Sequence, residues 1–412
     1  MPNTATRHIA SSLILLAGLA FGAGSRAEAQ TTTVNVSTLA ELQNAITAAN
    51  SAGGNRIIAL ADGTYTTNNT LYVNAPNVTL TSQSGNRDKV VIQGDAMSAN
   101  AVLKILVRAG ASGFQVSNLT LQRSGSHLLQ VVGEQNADNA VVHNVVFRDA
   151  YEQMLKVSID PSNYSITGDN GLVEDSLFEY PAGIGPQYYI GGIDAHGAKN
   201  WIVRRNTFRS IVSPSQTVAE FAIHFWNQSG NPLVEQNVIV DCDRAIGFGL
   251  DGRGNTAGII RNNMIYHSAN VGQFADVAIY LEQSPNTQIY NNSIFMENSY
   301  PRSIEYRFAE TSGVLIVNNL ANKPIGARDG ATATTGSNLE SAAKSLFVNP
   351  VKGDLHLLAA TAGVIDAGRT VNGLTNDIDG DARPQGAGID IGADEWGGSS
   401  VKPNPPTGLR VN

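Results

Sequence analysis

The 412-residue chain has little cysteine, little charge and almost no long apolar sequence. Its single cysteine, Cys242, excludes an internal disulfide, so packing must stabilise the fold. Only 15% of the residues are charged and the net charge is -8, which argues against non-specific nucleic-acid binding. A Gly-rich phosphate loop, a zinc-ligand spacing and a nucleophilic serine elbow are also missing. After residue 30 no apolar run reaches the roughly 20 residues of a membrane span, so we expect none.

The first 29 residues differ from the rest of the chain. Arg7 is followed by the apolar run "IASSLILLAGLAFGAG" and then by "AEA", a small-x-small cleavage pattern. The run is shorter than the roughly 20 residues that a transmembrane helix needs, which favours a signal peptide over a membrane anchor. Residues 1–29 are therefore predicted to be a signal peptide, and the mature protein to be secreted or periplasmic.

What the sequence does contain is a repeat. Eight similar segments recur at intervals of 26 to 31 residues, each following a short apolar alternation, and seven of them have Asn at the key position. The key positions are Asn118, Asn144, Asp175, Asn206, Asn237, Asn263, Asn292 and Asn319. This period, with Asn at a tight corner, predicts an all-β fold of the single-stranded, right-handed parallel β-helix type, a pectate-lyase-like solenoid of about ten coils. Leucine-rich repeats have similar periods, but their leucine pattern is absent.

Both ends of the repeat region carry capping signals. Thr38 and Glu41 have capping-box spacing, and Leu39, Leu42 and Ile46 lie near one face, so an N-terminal capping helix is predicted. The acids of "DIDGD", near the other end, are compatible with calcium, although the rest of an EF-hand loop is missing and a structural turn is favoured. The boundaries are a catalytic β-helix domain over 30–396 and, over 397–412, a Gly/Ser/Pro linker or the start of a truncated module.

Side chains of one face of the solenoid can be aligned from coil to coil. Alternate residues of a strand point outward, and aligning the inward apolar residues gives two outward columns. The first is Gln130, Lys156, Asp194, His224, Gly247, Tyr280 and Glu305, and the second is Val132, Ser158, His196, Trp226, Gly249, Glu282 and Arg307.

These columns predict a functional groove. The predicted catalytic residues are Lys156, Asp194, His196 and His224. The predicted substrate-binding residues are Trp226, Arg244, Tyr280, Glu282, Glu305 and Arg307. Such polar residues could also be an ordinary solvated face, but two imidazoles, an indole, a carboxylate and an amine within three coils favour a site. Asp194 is expected to accept a hydrogen bond from His196 and fix its tautomer, and Trp226 to offer an open face to a sugar.

At these residues the sequence resembles the carbohydrate-active parallel β-helix proteins, over roughly residues 34 to 396. "GGIDAHG" is similar to the Tyr-Gly-x-Asp-Pro-His motif of mannuronan C5-epimerases, which follows a lysine on the preceding coil, as Lys156 does here. Ala195 replaces the proline and Gly191 the tyrosine, while Tyr188 and Tyr189 lie nearby. "EQMLKVS" resembles the lysine strand of the chondroitinase B and alginate lyase family, whose arginine position is Ala195 here.

The resemblance implies chemistry that starts by removing the proton at C5 of a uronate. It implies a polysaccharide lyase that cleaves an acidic, alginate-like polymer by β-elimination, and alternatively a C5-epimerase. An inverting glycosidase that uses Asp194, Glu282 or Glu305 is a third hypothesis, and a non-catalytic glycan-binding adhesin is the fourth. The expected partner is an anionic polysaccharide and the expected state a monomer. No cofactor is assigned, the metal ligands are unknown, and calcium is a candidate because one branch of the family uses it.

Overall fold

A computed structural model describes residues 31–397. The predicted signal peptide and nearly all of the predicted linker or truncated module lie outside the described residues. The only α-helix of this range is Leu39–Ser51, which buries Leu42, Ile46 and Ala49. Thr38 accepts a hydrogen bond from the backbone N–H of Glu41 at 3.2 Å, so the capping signal read from the sequence operates as predicted.

Three parallel sheets form the faces of a solenoid of about 11 turns. The first sheet contains Thr32–Val36, Arg56–Leu60, Val78–Ser82, Gln115–Ser117, Val141–His143, Leu172–Glu174, Ile202–Arg204, Leu233–Glu235, Ile259–Arg261, Gln288–Tyr290, Val314–Val317 and Ala333–Gly336. The second sheet contains Leu71–Val73, Val107–Ala109, Leu129–Val132, Gln153–Ser158, Gly191–His196, Phe221–Trp226, Arg244–Phe248, Ile279–Glu282, Ile304–Arg307 and Ile325–Arg328. The third sheet contains Gly63–Thr66, Val90–Gln93, Thr120–Ser124, Val146–Ala150, Leu177–Glu179, Thr207–Arg209, Val238–Val240, Met264–His267, Ser293–Met296 and Leu320–Ala321.

The remaining elements are short. Ser229–Gly230 pairs with Asn255–Thr256, and Phe347–Asn349 pairs antiparallel with Asp354–Leu357. Three 3₁₀ turns complete the list: Gly133–Gln135, Lys344–Leu346 and Pro350–Lys352. The predicted all-β, right-handed parallel β-helix with an N-terminal capping helix is confirmed.

The core is the continuous apolar interior of the coils. In most strands the inward side chains are buried, and equivalent side chains stack from one coil to the next. Phe147, Phe178 and Phe208 form such a stack, with ring centroids 4.5 and 4.6 Å apart. Because each coil shields the apolar face of its neighbour, the solenoid needs no disulfide, and Cys242 is free and buried.

The corner between the first and third sheets holds an asparagine ladder. Asn206, Asn237, Asn263, Asn292 and Asn319 are fully or almost fully buried. Each side-chain amide donates to the carboxamide oxygen of the next member, at 2.9–3.1 Å. In the last four members, the carboxamide oxygen also accepts a hydrogen bond from the backbone N–H of the preceding member. The buried polar groups of the corner therefore have hydrogen-bond partners along the stack.

The sequence alignment of this corner was one position wrong in the early coils. Asn144 and Asp175 have φ of 54° and 55°, and so belong to the left-handed position that Arg205 occupies one residue before Asn206. The ladder position of the Asp175 coil is Ser176, whose backbone N–H donates to Asn206 Oδ1 at 3.0 Å. Asn144 therefore lies at the predicted corner but outside the ladder. The sequence alignment did not separate the two positions because asparagine suits both of them.

The C-terminal segment covers the outer face of the last coils. Arg383 and Glu395 form a buried ion pair at 2.7 Å. Asp377, the first acid of "DIDGD", accepts the backbone N–H groups of Asp379 and Asp381 at 2.9 Å, as a structural turn does. No helix among residues 31–397 is long and apolar enough to cross a membrane.

Candidate active site

The second sheet carries the site, and its strand register matches the predicted columns. Lys156 pairs with Asp194 and Asp194 with His224, while His196 pairs with Trp226. Gly247, Tyr280 and Glu305 continue the first column in the next three coils. The alternation of apolar residues was therefore sufficient to place these side chains on one face of the solenoid.

Asp194 is the centre of a compact cluster. Its side chain is 1% exposed, its Oδ2 accepts a hydrogen bond from Lys156 Nζ, and its Oδ1 accepts one from the Trp226 indole at 2.7 Å. His196 Nε2 lies 2.8 Å from Lys156 Nζ and 3.4 Å from Asp194 Oδ2. The lysine thus makes the shorter contact with the imidazole, and in place of the expected hydrogen bond His196 and Asp194 make a contact of 3.4 Å.

The charges of the cluster follow from burial and from the ion pair. Burial alone would lower the pKa of Lys156, but Asp194 raises it above its usual value. Burial alone would raise the pKa of Asp194, but Lys156 and His196 hold it well below its usual range. Burial lowers the pKa of His196, and Asp194 only partly offsets this effect. At neutral pH the cluster therefore combines an ammonium, a carboxylate and a neutral imidazole.

Lys156 and His196 form the accessible side of the cluster, with side chains 12% and 13% exposed. His224, in contrast, is fully buried between the rings of Phe221 and Trp226, at centroid distances of 4.7 and 4.8 Å. A substrate-contacting role for His224 is therefore wrong for this structure. Its Nδ1 faces Asp194 Oδ1 at 3.8 Å and Glu220 Oε2 at 3.4 Å, so His224 packs beneath the cluster.

Trp226 does not offer the open face that the sequence predicts. Its side chain is buried, at 5% exposure, with His224 stacked against it and the Arg253 guanidinium 4.0 Å from the ring centroid. Its indole N–H is used by Asp194. The open sugar platform is a wrong prediction, because loop side chains such as Arg253 cover an outward strand residue that strand alternation alone would leave exposed.

The predicted binding residues farther along the solenoid are hydrogen-bonded or ion-paired within the protein. Glu305 is 1% exposed and forms ion pairs with Arg302 and Arg328, at 2.6 and 2.9 Å. Glu282 is buried and accepts a hydrogen bond from Tyr280 at 2.6 Å.

The two arginines among the predicted binding residues also form ion pairs with acidic side chains. Arg307 binds Asp329 at 2.7 Å, and Arg244 binds Asp276 at 3.3 Å. Substrate binding by these residues stays a prediction, but none of them is an uncommitted charge.

Gly247, the glycine of the first column, occupies a position where a larger residue would clash. A Cβ on Gly247 would lie 2.6 Å from the ring of Phe221, which packs over this position towards Tyr280 at a centroid distance of 5.9 Å. The glycine therefore allows the Phe221 and Tyr280 rings to pack between the Asp194 cluster and the paired charges of the later coils.

Sequence reasoning left three neighbours of the cluster without a role. Tyr189 is half-buried and interacts electrostatically with Lys156 and Asp194; burial raises its pKa and Lys156 opposes the rise. Asn227 Nδ2 lies 3.1 Å from His196 Nδ1, and Glu220 faces His224. Asn227 directly follows Trp226, so the strand alignment could have placed it near His196. Tyr189 and Glu220 reach the site from loops that the strand alignment does not cover.

The cluster does not fit a calcium ion. Ca²⁺ takes six to eight oxygen ligands, whereas both Asp194 oxygens here are bound by nitrogen donors. Two groups of three potential metal ligands occur among residues 31–397, and both lie elsewhere: His143 with Glu174 and Asp175, and His356 with Asp379 and Asp394.

No protein-family model and no curated protein matches the chain. Solved structures similar to it include an alginate lyase from Paenibacillus sp. str. FPU-7, at 13% identity and a TM-score of 0.40, covering 66% of this chain and 95% of that one. The pectate lyase Pel9A is 14% identical with a TM-score of 0.46, covering 89% and 97%. A mannuronic-acid-specific family 6 lyase from human gut microbiota is 14% identical with a TM-score of 0.45, covering 72% and 69%. At these identities the likeness does not extend to activity.

Proposed function

We propose that this protein is a secreted or periplasmic polysaccharide lyase that cleaves a uronate-containing, alginate-like glycan by β-elimination. The observation that carries the proposal is the pair of accessible groups at the mouth of the cluster, a charged Lys156 beside a neutral His196. An ammonium neutralises a uronate carboxylate, and a neutral imidazole accepts a proton at physiological pH.

The first step breaks the bond between C5 and its hydrogen. The substrate carboxylate binds Lys156 and draws its hydrogen bond away from His196 Nε2, which then takes the proton. The electron pair moves into an enolate of the carboxylate, and the Lys156 charge stabilises that anion. Asp194 keeps Lys156 charged, which favours this role over that of a base for the lysine.

The second step breaks the bond between C4 and the glycosidic oxygen. The enolate electrons form the C4–C5 double bond, and the leaving oxygen takes a proton from the Tyr189 hydroxyl, which lies in the field of Lys156. His196 then returns the first proton to the tyrosinate through solvent. The products are an unsaturated uronate and a new sugar hydroxyl, so atoms and charge balance.

The carboxylates do not favour the glycosidase alternative. An inverting glycosidase needs one protonated acid and one carboxylate base, roughly 6.5–9.5 Å apart, with room for a water between them. Asp194, Glu282 and Glu305 are all buried and hydrogen-bonded or ion-paired inside the protein. None of them has the free, accessible carboxyl group that such a mechanism uses.

The test is a panel of alginate, pectate, hyaluronan, chondroitin and glucuronan, followed by ultraviolet absorbance of the unsaturated product. Turnover should fall by at least about 10²-fold in Lys156→Ala and in His196→Ala. Lys89→Ala and His143→Ala, which change the same residue types outside the groove, should retain turnover.

Other outcomes decide between the alternatives. Deuterium incorporation from heavy water into an intact polymer, without ultraviolet absorbance, would identify a C5-epimerase. Binding of a glycan without either reaction would identify an adhesin. Full activity of both groove variants would refute the proposed site.

A further inference from the structure

The first outward column extends beyond the residues aligned from sequence, towards the N-terminal cap. Gln130 pairs with Arg108, and Arg108 pairs with Tyr72, so both lie in register with Lys156. Tyr72 is 51% exposed between two buried neighbours, and Arg108 is half-buried in the same arrangement. The Arg108 cation thus lies two coils from Lys156, and the exposed ring of Tyr72 lies three coils from it, both towards the N-terminal cap.

Arg108 differs from the other arginines of this sheet. Arg244, Arg307 and Arg328 are each paired with an acidic side chain. Among residues 31–397 no carboxylate lies within ion-pair distance of Arg108, whose contact is with the side-chain amide of Gln135. A half-buried guanidinium without a counter-ion attracts a carboxylate from outside the protein.

A concave surface lies at the N-terminal ends of the strands that carry Arg108, Gln130 and Lys156. A cleft of about 340 Å³ opens beside Gln130, with Lys104, Tyr151 and Glu152 among its lining residues. The coil between the two cations therefore has open space beside it, which a sugar can occupy.

We propose that Arg108 binds the carboxylate of the uronate two sugars away from the one at Lys156, in a glycan chain that runs along the solenoid towards the N-terminal cap. This rests on the proposed function, because it takes Lys156 as the position of the reacting sugar. The open Tyr72 ring receives the sugar beyond Arg108 by stacking.

The spacing defines the class of glycan. Two coils span about 9.6 Å, twice the strand spacing of about 4.8 Å, and one coil rise is close to the length of one sugar in an extended chain. In a uronan linked through two equatorial bonds, successive sugars are turned over, so every second carboxylate faces the same side. Cations two coils apart fit that pattern, which a β-1,4-linked mannuronan or glucuronan supplies.

The experiment measures kcat/KM on purified mannuronate oligomers from the disaccharide to the hexasaccharide. In the wild type we expect kcat/KM to rise once the oligomer is long enough to reach Arg108. Arg108→Ala should lower kcat/KM on the long oligomers by about 10- to 100-fold, the effect of one lost charge-assisted hydrogen bond, and leave the short ones unchanged. Arg108→Lys should restore part of the loss, and Arg209→Ala, a strand arginine of the third sheet, should change nothing.

An equal loss at every length, or no loss at any length, overturns the proposal. Calorimetric titration of wild type and Arg108→Ala with mannuronate hexasaccharide separates it from the proposed function. Arg108-dependent binding without turnover refutes the lyase and keeps the subsite. Turnover with Arg108-independent binding refutes the subsite and keeps the lyase. Preference for guluronate over mannuronate oligomers refutes the assigned linkage class.

Discussion

Trp226 provides the sharpest test of the structure, because an open sugar platform and a buried support predict opposite results. The side chain is buried, and its indole N–H donates to Asp194 at 2.7 Å. Trp226→Ala should therefore lower the free energy of unfolding by about 3–5 kcal/mol, the usual cost of removing a large buried ring. Trp226→Phe keeps most of the packing but leaves Asp194 Oδ1 without this donor, so we expect a loss of about 1–3 kcal/mol.

The assay is urea unfolding followed by circular dichroism, at equal protein concentration and pH. Trp396 is 38% exposed and provides the matched control, since Trp396→Ala should cost about 1 kcal/mol or less. The midpoint should fall in the order Trp396→Ala, Trp226→Phe, Trp226→Ala, with a similar slope for all variants. An unchanged midpoint for Trp226→Ala together with weaker glycan binding would refute the buried support and restore the platform.

Three further predictions concern the ladder, the cap and the pH dependence. Asn263→Ala removes donors and acceptors shared with Asn237 and Asn292, so it should cost at least about 1–3 kcal/mol in urea unfolding; an unchanged midpoint would contradict the ladder. His356 lies between Asp354 and Asp379, at 2.6 and 2.8 Å; burial would lower its pKa, but the two hydrogen bonds raise it to about 10. This pKa is above the unfolded value of about 6.5, so protonated His356 stabilises the folded state fully below about pH 6.5 and loses this effect as pH rises through about 10. The Tm of the wild type should therefore fall over that range more steeply than the Tm of His356→Ala. Turnover requires neutral His196, whose pKa is lowered, so the acid limb of kcat/KM should lie below the usual histidine range; an acid limb above that range would contradict the assignment.

The sequence predicted which residues form the cluster but not how deeply each of them is buried. The period-2 alternation of each strand places Lys156, Asp194 and His196 on the outer face, and the repeat length brings their coils together. Alternation states only which side of a strand a residue occupies. Loop residues decide how much of that side is covered, and a solenoid leaves their length and path free from coil to coil.

The same distinction explains the corner and the proposed subsite. The Asn repeat located the corner, but one residue type satisfies two adjacent positions, so Asn144 could not be separated from the ladder by sequence. Arg108 and Tyr72 precede the recognisable part of the column, in coils where only three residues of the strand are regular. Their register became visible only through the backbone pairing of successive coils.

The sequence by itself determined the solenoid, its N-terminal cap and the face that carries the candidate site, because all three depend on local periodicity and capping chemistry. The tertiary structure decided which of those residues meet solvent, which charges are already paired and which loop side chains reach the cluster. Those properties depend on distances between segments that are far apart in sequence, such as Arg253 over Trp226 or Tyr189 beside Lys156, and no local pattern encodes them.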